Sequence, residues 1–245
     1  MFGVCNSQLL NFSPPHFLTS SLLQKHMGKK LALLFSLITH PLLMITYALV
    51  IYLKVNPFAF GVPNIGLKMP LVLMVFVLTF FFPALVVFLL KKLDFVDSIS
   101  LNTSKERIIP YIGTAVFFLW MYITTRSNPE IPTLFKSFVL GSIISLFLVF
   151  FVNNFSKISA HMAGIGGIVV FCFSMMYGLG GNTDLTSLLG NTLGSRPVNL
   201  PSIAILVGGL VATSRLSLKA HSYQEIIGGL IVGVLGQIIA MRSYF

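Results

Sequence analysis

Seven apolar runs, near Leu31–Leu53, Leu71–Leu90, Ile108–Thr125, Thr133–Val152, Met162–Leu179, Leu200–Leu216 and Ser222–Met241, limit what this chain can fold into. Each is roughly 18 to 24 residues long, which at 1.5 Å per residue matches the hydrocarbon thickness of a bilayer. Inside that layer backbone polar groups find no water, so the runs are read as spanning helices rather than strands. The expected fold is an all-α, polytopic transmembrane bundle of about 6 to 7 spanning helices.

Composition agrees, because 9% of the residues are charged and 56% are hydrophobic, outside the range of a soluble domain. The polar connections are short and lack periodicity of their own, so no soluble domain is expected between the spans. Residues 1–26 read as an N-terminal tail with Pro14 and Pro15, and Met27, followed by Gly-Lys-Lys, is a candidate start. Residues 27–245 then form a single membrane domain.

The formal charge of +10 does not indicate nucleic acid, since the basic residues are scattered among helix ends with no interleaved aromatics. Cys5 and Cys172 carry no metal-site or disulfide spacing, and neither a metal nor another cofactor is expected. Lys25, Lys29 and Lys30 precede the first run, and Lys91, Lys92, Lys105 and Arg107 lie between the second and third. The positive-inside rule makes that side cytoplasmic, and with seven spans the connections at Lys157 and Arg215 share it.

Two polar clusters interrupt this pattern. In SRLSLKAHSYQE, from Ser214 to Glu225, His221 and Glu225 are four residues apart at the start of the last span, hence on one helix face. A carboxylate there holds an imidazole in one tautomer, as an activated histidine requires. Arg215 ends the preceding span, and its guanidinium fork suits phosphate oxygens. In SKISAHMAGIGG, from Ser156 to Gly167, Lys157, Ser159 and His161 precede the fifth run. Two spans separate the clusters, so both lie on the same membrane face, whichever face that is. Two histidines, a carboxylate and cationic anion ligands suffice for phosphoryl transfer without a metal. The plainer alternative is that these are interfacial residues meeting headgroups.

Ser214, Arg215, His221 and Glu225 resemble the third motif of the type 2 phosphatidic acid phosphatase superfamily: Ser-Arg, five residues, His, three residues, Asp. Ile158, Ser159, Ala160 and His161 are similar to its second motif, Pro-Ser-Gly-His. The resemblance covers roughly residues 151–241, taken as a phosphatase-like core. The family's first motif, Lys, six residues and Arg-Pro, is absent. The resemblance implies His221 as nucleophile, Glu225 as its orienting carboxylate and His161 as general acid, with Arg215, Ser159 and Ser214 binding phosphate. Lys157 is a candidate substitute for the lost phosphate ligands. The implied partner is a lipid phosphate in the membrane: phosphatidic acid, phosphatidylglycerol phosphate or a polyprenyl diphosphate.

A bacterial inner membrane is the expected location. Family members commonly work on its outer face, whereas the charge count places the clusters on the cytoplasmic one. The missing motif keeps a second reading in view, a degenerate phosphatase-like protein that binds a lipid or a partner. A transporter fits less well, because the spans carry little charge away from their ends.

Three further features carry structural expectations. Gly229 and Gly233, with Gly228 and Gly236, and Gly164 and Gly167 would let the fifth and seventh spans approach closely. His40-Pro41 and Pro83 mark kinks. Asp184 and Arg196 belong to a solvated connection on the opposite face.

Overall fold

A computed structural model describes residues 28–95, 104–178 and 199–245. The tail before Met27 and the connection holding Asp184 and Arg196 lie outside the described residues, as does Met27 itself. The described residues form an all-α bundle of seven helices: α1 (Gly28–Val55), α2 (Pro57–Lys92), α3 (Ser104–Arg126), α4 (Thr133–Asn153), α5 (Ala160–Met176), α6 (Asn199–Ser217) and α7 (Tyr223–Arg242). No strand occurs among the described residues. Six of the seven are long and apolar enough to cross a membrane, and α5, at 17 residues, spans about 25 Å. This is an integral membrane protein.

Apolar side chains cover its outside as well as filling its core. Leu33, Leu37, Phe88, Trp120, Leu206 and Ile238 are exposed on the flanks, where lipid rather than water is their solvent. The phenylalanines divide between the two roles: Phe60, Phe135, Phe138 and Phe171 are fully buried, whereas Phe81, Phe147 and Phe151 face outward.

Helix α7 lies against α4 and α5 at a distance that only glycine permits. A β-carbon at Gly233 would overlap the carbonyl of Ala163, one at Gly229 the carbonyl of Ser159, and one at Gly236 the hydroxyl of Ser145. On α5 the reciprocal position is Gly166, where a β-carbon would meet Leu230 O at 2.6 Å. Gly164 and Gly167 face other neighbours, Met44 on α1 and Gln237 on α7 respectively. With no hydrophobic effect to drive helices together in lipid, such backbone proximity is how they gain dispersion contacts. Gln237, buried in this seam, donates to Phe138 O at 3.2 Å.

Both expected kinks are present. Helix α1 breaks at residues 39–40 and resumes through a 3-10 turn at Pro41–Leu43. Pro83 has no N–H to offer the preceding turn, and α2 passes through a π-helical turn at Val77–Phe81 just before it. Thr79 in that turn is fully buried, its hydroxyl 3.4 Å from that of Thr46 on α1.

A Gly233→Ala substitution is expected to destabilise the protein by about 1–3 kcal/mol, because the overlapped atoms are backbone and cannot move aside. Gly209→Ala, whose β-carbon meets nothing within 4 Å, is expected to be neutral or to stabilise by less than about 1 kcal/mol. Thermal unfolding of both variants in one detergent checks the contrast.

Candidate functional site

The two polar clusters meet where α5 and α7 begin. Ser159 N donates to Glu225 O at 3.0 Å, joining the two helix starts through their backbones. Each start is capped by its own serine: Ser159 Oγ accepts from Met162 N, and Ser222 forms a reciprocal capping box with Glu225. Lys157 Nζ donates to Ala220 O at 2.8 Å and fastens the two connecting turns to each other.

The turn before α7 is tight. Ala220 N bonds back to Arg215 O at 3.1 Å, and Lys219 between them adopts a left-handed conformation with φ 51. Glycine usually takes that position at a helix end, and a lysine there costs about 1–2 kcal/mol. The reversal turns His221 back toward the end of α6, where Arg215 lies.

His221 and Glu225 form a close polar contact in the cluster. His221 Nδ1 donates to Glu225 Oε2 at 2.7 Å, with the side chains 8% and 24% exposed. Burial lowers the His221 pKa from its usual value. The hydrogen bond and charge of Glu225 oppose that shift, while Arg215 and Lys157 add to it. The net direction favours the neutral imidazole, and Glu225 holds its proton on Nδ1, which leaves the Nε2 lone pair available in that form.

His161, Arg215, Lys157 and His221 all line one cavity of about 1140 Å³. Further polar residues line it that the sequence patterns did not single out for the site, among them Ser36 and His40 from α1 and Arg107 from α3. The ring of His40 meets that of His161 edge to face, centroids 5.5 Å apart. Arg107 Nη1 donates to Asn153 Oδ1 at 3.1 Å, and Asn153 in turn braces the turn leading to α5 through Ile158 N. A histidine inside an apolar run is a usable signal for a site, and His40 carried it. Ser36 carried none.

Two expected phosphate ligands face elsewhere. Ser214 Oγ donates to Leu210 O at 2.7 Å on its own helix, and Ser159, 0% exposed, spends its oxygen on capping α5. Neither lines the cavity. The sequence pattern identifies positions along the chain, whereas a helix's rotation decides which of them face inward.

The cavity wall contains Arg107, Lys157, Arg215 and Lys219 and no carboxylate among the described residues. Arg215 Nε is buried without a hydrogen-bond partner among those residues. This donor set suits an anion. Thr114, Ser142, Ser145 and Gln237 add polar groups; most of the remaining wall is aliphatic and aromatic, and it includes Leu33, Leu34, Leu37 and Phe88, which are also exposed on the outside of the bundle. The cavity thus extends from the cationic side chains to apolar ones exposed on the outside of the bundle.

No family model, curated protein or solved structure matches the chain.

His221 is expected to titrate below 6.5. In Glu225→Gln the carboxylate that raises it is gone while burial, Arg215 and Lys157 still act, so the midpoint moves further down. A histidine-resolved NMR titration in detergent measures both. A midpoint above 6.5 in the unsubstituted protein contradicts this electrostatic account.

Proposed function

We propose that this protein is a membrane-embedded, metal-independent phosphatase that hydrolyses a lipid phosphate or diphosphate through a phosphohistidine on His221. The observation that carries this reading is the convergence of a carboxylate-held histidine, a second histidine and an arginine on one cationic cavity that opens toward lipid. The similarity of the two clusters to phosphatidic acid phosphatase motifs supports the same chemistry.

In the proposed mechanism Arg215, Lys157 and Arg107 bind the phosphate oxygens and stabilise charge on them in the transition state. Glu225 keeps the His221 proton on Nδ1, and Nε2 attacks phosphorus. As the His221 N–P bond forms, the bond from phosphorus to the leaving oxygen breaks with its electron pair on that oxygen, which takes a proton from His161. Neutral His161 then accepts a proton from water, the water oxygen bonds to phosphorus, and the P–N bond returns its pair to Nε2. Phosphate leaves, and both histidines regain their starting protonation.

The apolar opening accounts for a lipid substrate, since a chain stays among Leu33, Leu37 and Phe88 while its headgroup reaches the cations. Phosphatidic acid, phosphatidylglycerol phosphate and polyprenyl diphosphates share that form. A bacterial inner membrane is the location we favour. A second reading, a phosphatase-like protein that binds a lipid or partner without turnover, draws on the absence of Ser159 and Ser214 from the cavity wall and on the missing first motif.

Phosphate release in detergent with EDTA, from a panel of these lipids, distinguishes the two readings. Turnover is expected, with loss on the order of 10²-fold or more in His221→Ala and in His161→Ala. Release indifferent to His221, or none by folded protein, favours the binding reading.

A further inference from the structure

The first helix matched the phosphatase family only as an apolar span, yet α1 makes the most direct contacts to the site's charged and imidazole groups. Arg215 Nη1 donates to Ser36 Oγ at 2.7 Å. His161 Nε2 lies 3.1 Å from Ser36 O and 3.3 Å from Ser36 Oγ. Ser36 is buried and stands between the arginine and the second histidine.

A hydroxyl in an apolar helix ordinarily bonds to the carbonyl four residues before it. Thr39, Ser142, Ser174 and Ser214 all do so here. Ser36 instead makes its hydrogen bonds across helices, to α5 and α6. Its carbonyl is equally unusual. In an unbroken helix Ser36 O would accept from His40 N. Here His40 N bonds to Leu37 O at 3.3 Å, whose own regular donor would be the missing N–H of Pro41. The proline shifts the ladder by one residue and releases Ser36 O, and His161 takes it.

A carbonyl oxygen only accepts, so the contact to Ser36 O places a proton on His161 Nε2. Nδ1 of the same ring has no hydrogen-bond partner among the described residues, and the ring lines the cavity.

We propose that Ser36, freed by the His40-Pro41 break, is a positioning residue of this site: it fixes the His161 tautomer and holds the Arg215 fork. The proposal rests on the phosphohistidine reading. In that reaction His161 enters as the imidazolium, protonated on both nitrogens, and the proton that reaches the leaving oxygen departs from its Nδ1. The P–O bond breaks with its pair on that oxygen, the bond from His221 Nε2 to phosphorus forms, and His161 is left neutral with Nε2–H on Ser36 O. The hydroxyl accepts from Arg215, so the guanidinium is already oriented when phosphate arrives. Part of what the absent first motif would supply is thereby replaced from a different helix.

The test compares Ser36→Ala, Ser36→Thr and Pro41→Ala with the unsubstituted protein, using lipid phosphate turnover and binding of orthovanadate, a phosphate mimic, followed by thermal shift in the same detergent. Ser36→Ala is expected to lower kcat about tenfold or more with little change in KM, and to weaken vanadate several-fold. Ser36→Thr, which keeps the hydroxyl, is expected to stay within about threefold of the unsubstituted kcat. Pro41→Ala, which lets the regular ladder reclaim Ser36 O, is expected to lower kcat without lowering the melting temperature.

Turnover and vanadate affinity within twofold of the unsubstituted protein in both Ser36→Ala and Pro41→Ala would overturn the proposal, and if His221→Ala is inactive in that comparison the phosphatase reading survives alone. Vanadate binding that depends on Ser36, without phosphate release from any lipid, would retain the Arg215 role and overturn the hydrolytic one. No vanadate binding at all removes both.

Discussion

The backbone contact between α5 and α7 is the constraint from which the site follows. Gly229 and Gly233 bring the last helix against the carbonyls of Ser159 and Ala163, and Ser159 N reaches Glu225 O across the same seam. Two segments about sixty residues apart in the chain are thereby set at one level of the bundle. A side chain larger than hydrogen on that face would push the helices apart, and the histidines with them. Because the seam is made of backbone, its geometry is stiff in a way that an interface of leucines is not. Both helices also begin at this end, so their N-terminal amides add positive potential to a cavity already walled by arginine and lysine.

Once that seam is in place, α1 completes the site through a defect. Pro41 interrupts the hydrogen-bond ladder, and the interruption has two consequences: His40 turns to meet His161, and Ser36 O is released. A backbone carbonyl unsatisfied in lipid is costly, so the break is tolerated because a side chain from α5 takes up the acceptor. The proline and the histidine on α5 are coupled in stability as well as in position. The π-helical turn before Pro83 in α2 relieves a similar proline-induced loss in another way, by widening one turn of the same helix.

Much of this was legible before any coordinates. The apolar runs marked the helices because a bilayer leaves few alternatives; His221 does pair with Glu225, but from the turn rather than along a helix face, since α7 begins at Tyr223 and His221 precedes its N-cap. The small-residue seam was visible as a pattern, and Gly167 does face Gln237 on α7, although the α5 glycine set against the α7 backbone is Gly166, which the pattern did not name. Ser159 and Ser214 occupied the right places in a motif but point away from the cavity, one into a helix cap and one onto its own backbone. Arg107 read as a connection charge and instead lines the cavity from α3.

What the sequence by itself determined was local and periodic: where the apolar helices lie along the chain, and the spacing that groups residues three or four apart. These are set by hydrogen bonding and solvent transfer within a few turns of chain. Only the tertiary structure decided which helices are neighbours and how each is rotated about its axis, because those depend on backbone contacts summed over whole interfaces. Ser36 shows the difference. As a serine in an apolar run it has no signature, and it becomes part of the site only because α5 and α6 present a histidine and an arginine to the turn where the helix breaks.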